Sequence, residues 1–293
     1  MIAPKSRPLD LIAHRGEGTL IGAFRCPASD PRFVDSGPIQ HDIFVFPRSA
    51  VRIRHAGGPS FVADHTVATV YNQGQIYDRG LVSEEGDRSD WFAVPRRVAV
   101  EAVAASGLEP RGSGPFPFPW VRVKDATYAA QRRLFRAALR GETPSAIDEG
   151  VYALLDEIVS SAAVTRSWRS SHEDARAREI ADAIRASICA RFEEKWSLSR
   201  LSQQISVSPF ALCRAFRRAT GSTIHRYQTT LRLRASLDRL EQPRVDLAGL
   251  AFDLGFSSHS HFTLTFSKRF EQSPSATRRS LAAPQRPGAP AGF

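Results

Sequence analysis

Five apolar residues in the C-terminal third of this 293-residue chain recur as a second, nearly parallel set. Leu198, Leu201, Ile205, Leu212 and Phe216 form one series; Leu247, Leu250, Leu254, Phe262 and Phe266 form the other. The offset is 49 residues at the first three positions and 50 at the last two, so one residue is added near Phe256-Ser257-Ser258. In each copy the first three positions mark one face of a helix, and the last two, four residues apart, mark one face of another. Two short helices burying facing stripes across a tight turn are the skeleton of a helix-turn-helix. Ser208, and Ser257 or Ser258, stand where the second helices begin and can accept from their free N–H groups. Pro209 takes the first helical position, where its missing N–H costs nothing.

Once the apolar faces are assigned, the opposite faces carry the chemistry. The second helix of the first copy presents Phe210, Cys213, Arg214 and Arg217; that of the second presents His259, Ser260 and Thr263. Such a helix fits the major groove of DNA with its N-terminal residues on base edges. Arg214 suits bidentate readout of guanine, and Phe210 and Thr263 suit thymine methyl groups. Cys213 stands for a weak base contact, with a redox switch as the alternative; His259 and Ser260 suit bases or phosphates. Arg217, Arg218, Ser208 and Ser258 are expected on phosphates, which fix register. Between the copies, "STIHRYQTTLRLRASLDRL" reads as one long helix. Its ~18 residues span ~27 Å, against the ~34 Å of one duplex turn. One chain is then expected to enter two successive major grooves.

The charge agrees with a polyanionic partner. Lysine and arginine exceed aspartate and glutamate by ten, and the pI is about 10.2. The lysines are Lys5, Lys124, Lys195 and Lys268, so arginine carries nearly all the positive charge. Codon bias accounts for arginine over lysine, but not for the net charge. Cys26, Cys189 and Cys213 are odd in number and widely spaced, which gives neither a disulfide framework nor a zinc motif. No apolar run reaches the length of a signal peptide or a membrane span. A soluble, cytoplasmic protein is expected, with no membrane partner.

The N-terminal third has another grain. "PLDLIAH", "TLIGAFR", "DIFVFP", "AVRIRH", "TVATVYN" and "DWFAVP" read as strands separated by turns, as in a barrel or jelly roll. "GLEPRGSGPFPFPW" at 107–120 is expected to end that β region. Leu134/Ala138 and Phe135/Leu139, then Ile147, Val151, Leu154, Leu155 and Ile158, mark two helices joined by "GETP". This hairpin is expected to cover the barrel or to dimerise. "SWRSSHED" reads as a linker with an N-cap. Residues from Asp174 to Leu281 read as helical, and 284–293 as a disordered tail.

The segment "LSRLSQQISVSPFALCRAFRRATGSTIHRYQTTLRLRASLDRL", followed by "LAGLAFDLGFSSHSHFTLTFSKRFEQSP", resembles the DNA-binding domain of AraC/XylS-family transcription regulators. Ala251, Gly255-Phe256, Ser258, Phe262, Phe266, Ser273 and Pro274 fall in step with the family pattern. Leu264 stands where the family often has Arg, Ser267 where it has Lys, and Glu271 and Ser206 where it often has Gly. The resemblance implies an α+β protein: a cupin-like β barrel or jelly roll at 1–106 for sensing or dimerisation, a helical hairpin and linker at 121–171, and a double helix-turn-helix at 172–283. The two units are placed at about 198–219 and 247–270. It also implies double-stranded promoter DNA as partner, with RNA polymerase, a small-molecule effector and a second copy of the chain as possible partners. No catalytic residue and no cofactor is expected. The alternatives are a cupin-type metalloenzyme fused to a DNA-binding domain, and a nonspecific architectural DNA binder. His41, His55 and His65 are the histidines an enzyme would draw on, but they lack compact ligand spacing and read as surface or strand-end residues. His259 and His261, two apart on a helix, face ~200° apart and share an ion poorly.

Overall fold

The computed structural model describes residues 9–110, 112, 114–165, 172–242 and 244–281. The expected tail at 284–293 and most of the expected linker lie outside them. Ten strands come first: β1 (Asp10–Arg15), β2 (Leu20–Cys26), β3 (Asp35–Ser36), β4 (Asp42–Pro47), β5 (Val51–His55), β6 (Ser60–Ala63), β7 (Val67–Tyr71), β8 (Tyr77–Leu81), β9 (Asp87–Val94) and, after a helix, β10 (Trp120–Arg122). They pair antiparallel in two sheets, ordered β1-β2-β9-β4-β7-β10 and β3-β8-β5-β6. Two sheets rather than a closed barrel form among the described residues, the jelly-roll side of the expectation.

The larger sheet is buried on both faces, which explains why its central strands read as nearly continuous apolar runs. On β4, Phe44 and Phe46 point to a core roofed by helices, where Phe44 stacks on Phe92 at 5.2 Å. Val45, between them, points to the smaller sheet with Val51 and Ile53 of β5. Alternating Ala68/Val70 and Val67/Tyr71 on β7 divide the same way.

The expectation that 107–120 ends the β region fails: β10 returns to pair with β7, Val121 opposite Ala68. A helix, α1 (Arg96–Ala105), precedes that return. The hairpin α2 (Asp125–Arg140) and α3 (Pro144–Thr165) forms as expected, and Gly141 closes α2 in the left-handed conformation. Its apolar face is spent within the chain. Ile147, Val151, Leu154, Leu155 and Ile158 are buried in the core with Phe44 and Phe92, so this face is unavailable for dimerisation.

The C-terminal part is helical: α4 (His172–Ala190), α5 (Leu198–Ile205), α6 (Pro209–Thr220), α7 (Ile224–Leu240), α8 (Leu247–Asp253), α9 (His259–Phe270) and α10 (Pro274–Leu281). The series of the repeat face inward except at the start of the first, where Leu198 is 44% exposed; Ile205 and Leu247 are partly buried. Leu201, Leu212 and Phe216 are buried with Ile184 and Ile188 of α4 and with Val62 of β6. Leu250, Leu254, Phe262 and Phe266 join the core that contains Tyr128 and Phe135 of α2. The first unit thus sits against the smaller sheet and the second against the helical roof.

Candidate nucleic-acid interface

In the first unit, α5 starts at Ser197, whose Oγ accepts from the Arg200 N–H at 3.1 Å. The turn to α6 passes through Ser206 at φ 56°, and Ser202 Oγ donates to the Val207 carbonyl at 2.5 Å. Ser208 caps α6, accepting from the Ala211 N–H at 3.2 Å, with Pro209 in the first turn. Phe216 anchors the helix below, its ring edge-on to Tyr227 at 5.3 Å. Phe210, Cys213, Arg214 and Arg217 then share one face by their i, i+3, i+4, i+7 spacing. All are exposed, Phe210 by 76%. Arg218 is exposed beside them. Among the described residues, Arg214 and Arg217 have no carboxylate within 4.0 Å, although most buried arginines of this protein are paired. A helix N-terminus followed by guanidinium groups without carboxylate partners is the kind of surface that attracts anions.

The second unit repeats the plan with different surface chemistry. Asp246 caps α8, accepting from the Ala248 and Gly249 N–H groups. Its turn passes through Gly255 at φ 78°, the counterpart of Ser206. A Cβ at Gly255 would meet the Glu193 carbonyl at 2.0 Å, so only glycine fits there. Ser258 caps α9 through the His261 N–H at 3.1 Å, which settles the choice between Ser257 and Ser258. Phe262 and Phe266 are buried. His259 and Ser260 are exposed, and Thr263 is half-buried with its hydroxyl 3.3 Å from His259 Nε2. His261 turns away, 3.1 Å from Ser257 Oγ and edge-on to Phe256. The two histidines therefore engage different partners. Leu264, the counterpart of Arg214, is 71% exposed and lies on the outer face, not in the core.

The repeat pointed to one more surface cation. Applied to Arg218, the offset of 50 gives Lys268, which is exposed in the last turn of α9. The cationic load remains uneven: α6 offers Arg214, Arg217 and Arg218, whereas the matching positions of α9 are Leu264, Ser267 and Lys268. The spacer α7 has 17 residues, ~25 Å of helix.

His41, His55 and His65 separate. His41 is exposed. His55 and His65 are buried, which corrects the surface reading of these two. His55 lies among Phe61, Tyr71 and Tyr77, and burial pushes its imidazole down to about 4. His65 lies between Tyr128 and Phe192, and burial lowers it as well. Between the smaller sheet and the larger one lies an open pocket of about 590 Å³, lined by Phe24, Ile53, Tyr71, Tyr77, Arg79 and Trp91 among others. No described helix is long and apolar enough to cross a membrane.

Against known proteins, the protein-family model described as a helix-turn-helix domain matches residues 201–280. This segment is an AraC-type helix-turn-helix domain. A curated relative, the uncharacterized HTH-type transcriptional regulator YidL of Escherichia coli, is 31% identical over 109 residues, covering 37% of this chain and 36% of its own length. The HTH-type transcriptional activator RhaS of Escherichia coli is 30% identical over 88 residues, 30% of this chain and 32% of its own. The chain thus matches about a third of the length of these relatives. Apo ToxT from Vibrio cholerae aligns over 91% of this chain and 99% of its own at 8% identity, with a TM-score of 0.38.

Proposed function

We propose that this chain is a sequence-specific DNA-binding transcription regulator that reads two successive major grooves. The observation that carries the reading is the presence of two AraC-type helix-turn-helix units in one chain. The second helix of each is anchored by phenylalanines on one side and exposed on the other. Arg214 reads a guanine edge, and Phe210 and Thr263 meet thymine methyl groups. Cys213, His259 and Ser260 complete the base-facing surface. Arg217 and Arg218, with Ser208 and Ser258 at the helix starts, hold phosphates and fix register. The sandwich half senses a small-molecule effector, for which the open pocket between its sheets offers room. RNA polymerase and a second copy of the chain are the further partners of a regulator of this kind.

Selection of the full-length protein on a randomised duplex library tests this. The expected result is a bipartite site with half-sites about one helical turn apart. Binding should weaken steeply with salt as phosphate contacts release counterions. Recovery of no motif above random sequence would place the chain with nonspecific binders.

A further inference from the structure

One corner of the sandwich grips both helix-turn-helix units. It is built by the β6–β7 turn, Asp64 to Thr66, and by β10 with the residues after it, Arg122 to Asp125. The two segments touch where the Val123 N–H donates to the Thr66 carbonyl at 3.2 Å. Towards the first unit, buried Asp64 accepts from Arg185 of α4 at 2.8 and 3.0 Å and from the Tyr227 hydroxyl of α7 at 2.7 Å. Arg122 donates to the carbonyls of Ala219 and Thr220, the last residues of α6. Towards the second unit, Asp125 accepts from Arg234 Nε of α7 at 2.7 Å on one oxygen and from Arg269 Nη1 of α9 at 2.6 Å on the other. Arg234 is held further by the carbonyls of His65 at 2.6 Å and Val123 at 2.8 Å.

We infer that Asp125 is a positioning residue for DNA recognition: by bridging the spacer helix and the second reading helix to the corner that holds the first, it sets the spacing between the half-sites the protein accepts. This rests on the reading of α6 and α9 as the DNA-contacting helices. A continuous spacer helix fixes how far apart the units lie, but each unit joins it through a turn. Hydrogen bonds from both ends to one carboxylate remove the freedom of the second turn. Asp125 and Arg269 lie away from the exposed face of α9 formed by His259, Ser260, Thr263 and Leu264, so they act through α9 and not on the bases. Two modules held in one geometry gain from linkage only where the DNA presents both half-sites at the matching distance.

The test uses the full-length protein and duplexes carrying both selected half-sites at the preferred spacing, the same half-sites moved closer or further by one and two base pairs, and the first half-site alone. The variants are Asp125→Asn, Arg269→Gln and Arg269→Lys. Arg269 is a quarter exposed, so its replacement severs one arm of the bridge without opening the core. Wild type should prefer one spacing. Asp125→Asn and Arg269→Gln should lose about tenfold at that spacing, bind the altered spacings as well as the preferred one, and match wild type on the single half-site. Arg269→Lys should restore the preference. An unchanged preference at wild-type affinity in both weakened variants would overturn the inference. So would an equal loss on the single half-site, which marks general damage. A wild type that selects no motif would instead overturn the DNA reading itself.

Discussion

Arg214 and Leu264 occupy matching places, and the difference between them is the largest chemical asymmetry in the candidate interface. Arg214 carries a planar donor pair with no carboxylate partner among the described residues. Leu264 is exposed too but offers only apolar surface. Good bidentate base contacts are worth about 1–3 kcal/mol of discrimination. Arg214→Ala should therefore cost about that much at the preferred site and relax one or two base pairs, whereas Leu264→Ala should change affinity less. Titrations of both variants against the selected duplex, with single-base replacements, check this. A second residue-scale consequence concerns pH. Burial holds the imidazole of His55 down at about 4 from an ordinary 6.5. The unfolded chain then takes up a proton that the folded chain refuses, so stability falls as pH drops from about 6.5 towards 4. The carboxylates act lower. Burial alone would raise Asp64, but Arg185 and the hydrogen bonds from Thr66 and Tyr227 hold it at about 2. Its contribution is complete above the ordinary carboxylate range and disappears as pH falls towards 2. His55→Phe should make the stability profile less steep between pH 6.5 and 4, the remaining slope coming from buried His65, and leave the acid limb in place, as read by urea denaturation across that range.

At the scale of elements, the repeat shows which turn positions are under backbone constraint. The turn inside each unit is left-handed at Ser206 and Gly255, and each second helix ends left-handed at Gly221 and Glu271. Each copy therefore has glycine at one of the two positions and a side chain at the other. A non-glycine residue in this region carries a steric cost of about 1–2 kcal/mol. Glu271 adds a negative charge at the carbonyl end of α9, where the helix dipole disfavours it. Glu271→Gly should stabilise the protein by about 1 kcal/mol, measured as a higher urea midpoint at unchanged slope. A lower midpoint would show that the Glu271 side chain contributes more than its backbone conformation costs. The same comparison explains why Gly255 cannot follow Ser206: the Glu193 carbonyl occupies the space its Cβ would need.

At the scale of the molecule, the apolar core runs without interruption from the larger sheet through α2 into the second helix-turn-helix unit. Phe44, Tyr128, Leu237, Phe262 and Phe266 belong to one buried cluster. Ion pairs cross the same boundary. Arg48 of the sandwich reaches Asp238 of α7 at 3.1 Å, and Arg132 of α2 meets Asp90 and Glu241. Removing one partner of a buried pair typically costs about 3–5 kcal/mol, because the other is left charged without compensation. The two parts should therefore unfold together. Far-UV circular dichroism and tryptophan emission should report coincident urea transitions; two separated transitions would show that the halves are energetically independent.

The helix-turn-helix pair was legible in the chain because its signal is local. A 3.6-residue period, a capping serine and a proline in the first turn are set by neighbours in sequence, and the repeat doubled each sign. Leu201, Phe216, Leu250 and Phe266 went inward, and Phe210, Arg214, His259 and Ser260 outward, for that reason. The strands with clear alternation, β5 above all, were legible in the same way. What the chain alone left undecided depends on partners distant in sequence. The return of β10 to β7 is marked by only three paired residues after a proline-rich passage, and the face of α3 reads the same whether a sheet or a second copy covers it. His55 and His65 looked like surface residues until the packing of Phe61, Tyr71, Tyr128 and Phe192 buried them. Asp64, Arg122 and Asp125 carried no sign of their partners on the C-terminal helices, which lie 97 to 163 residues away. Charges pair across such distances only after apolar burial has brought their elements together, so their placement belongs to the tertiary structure.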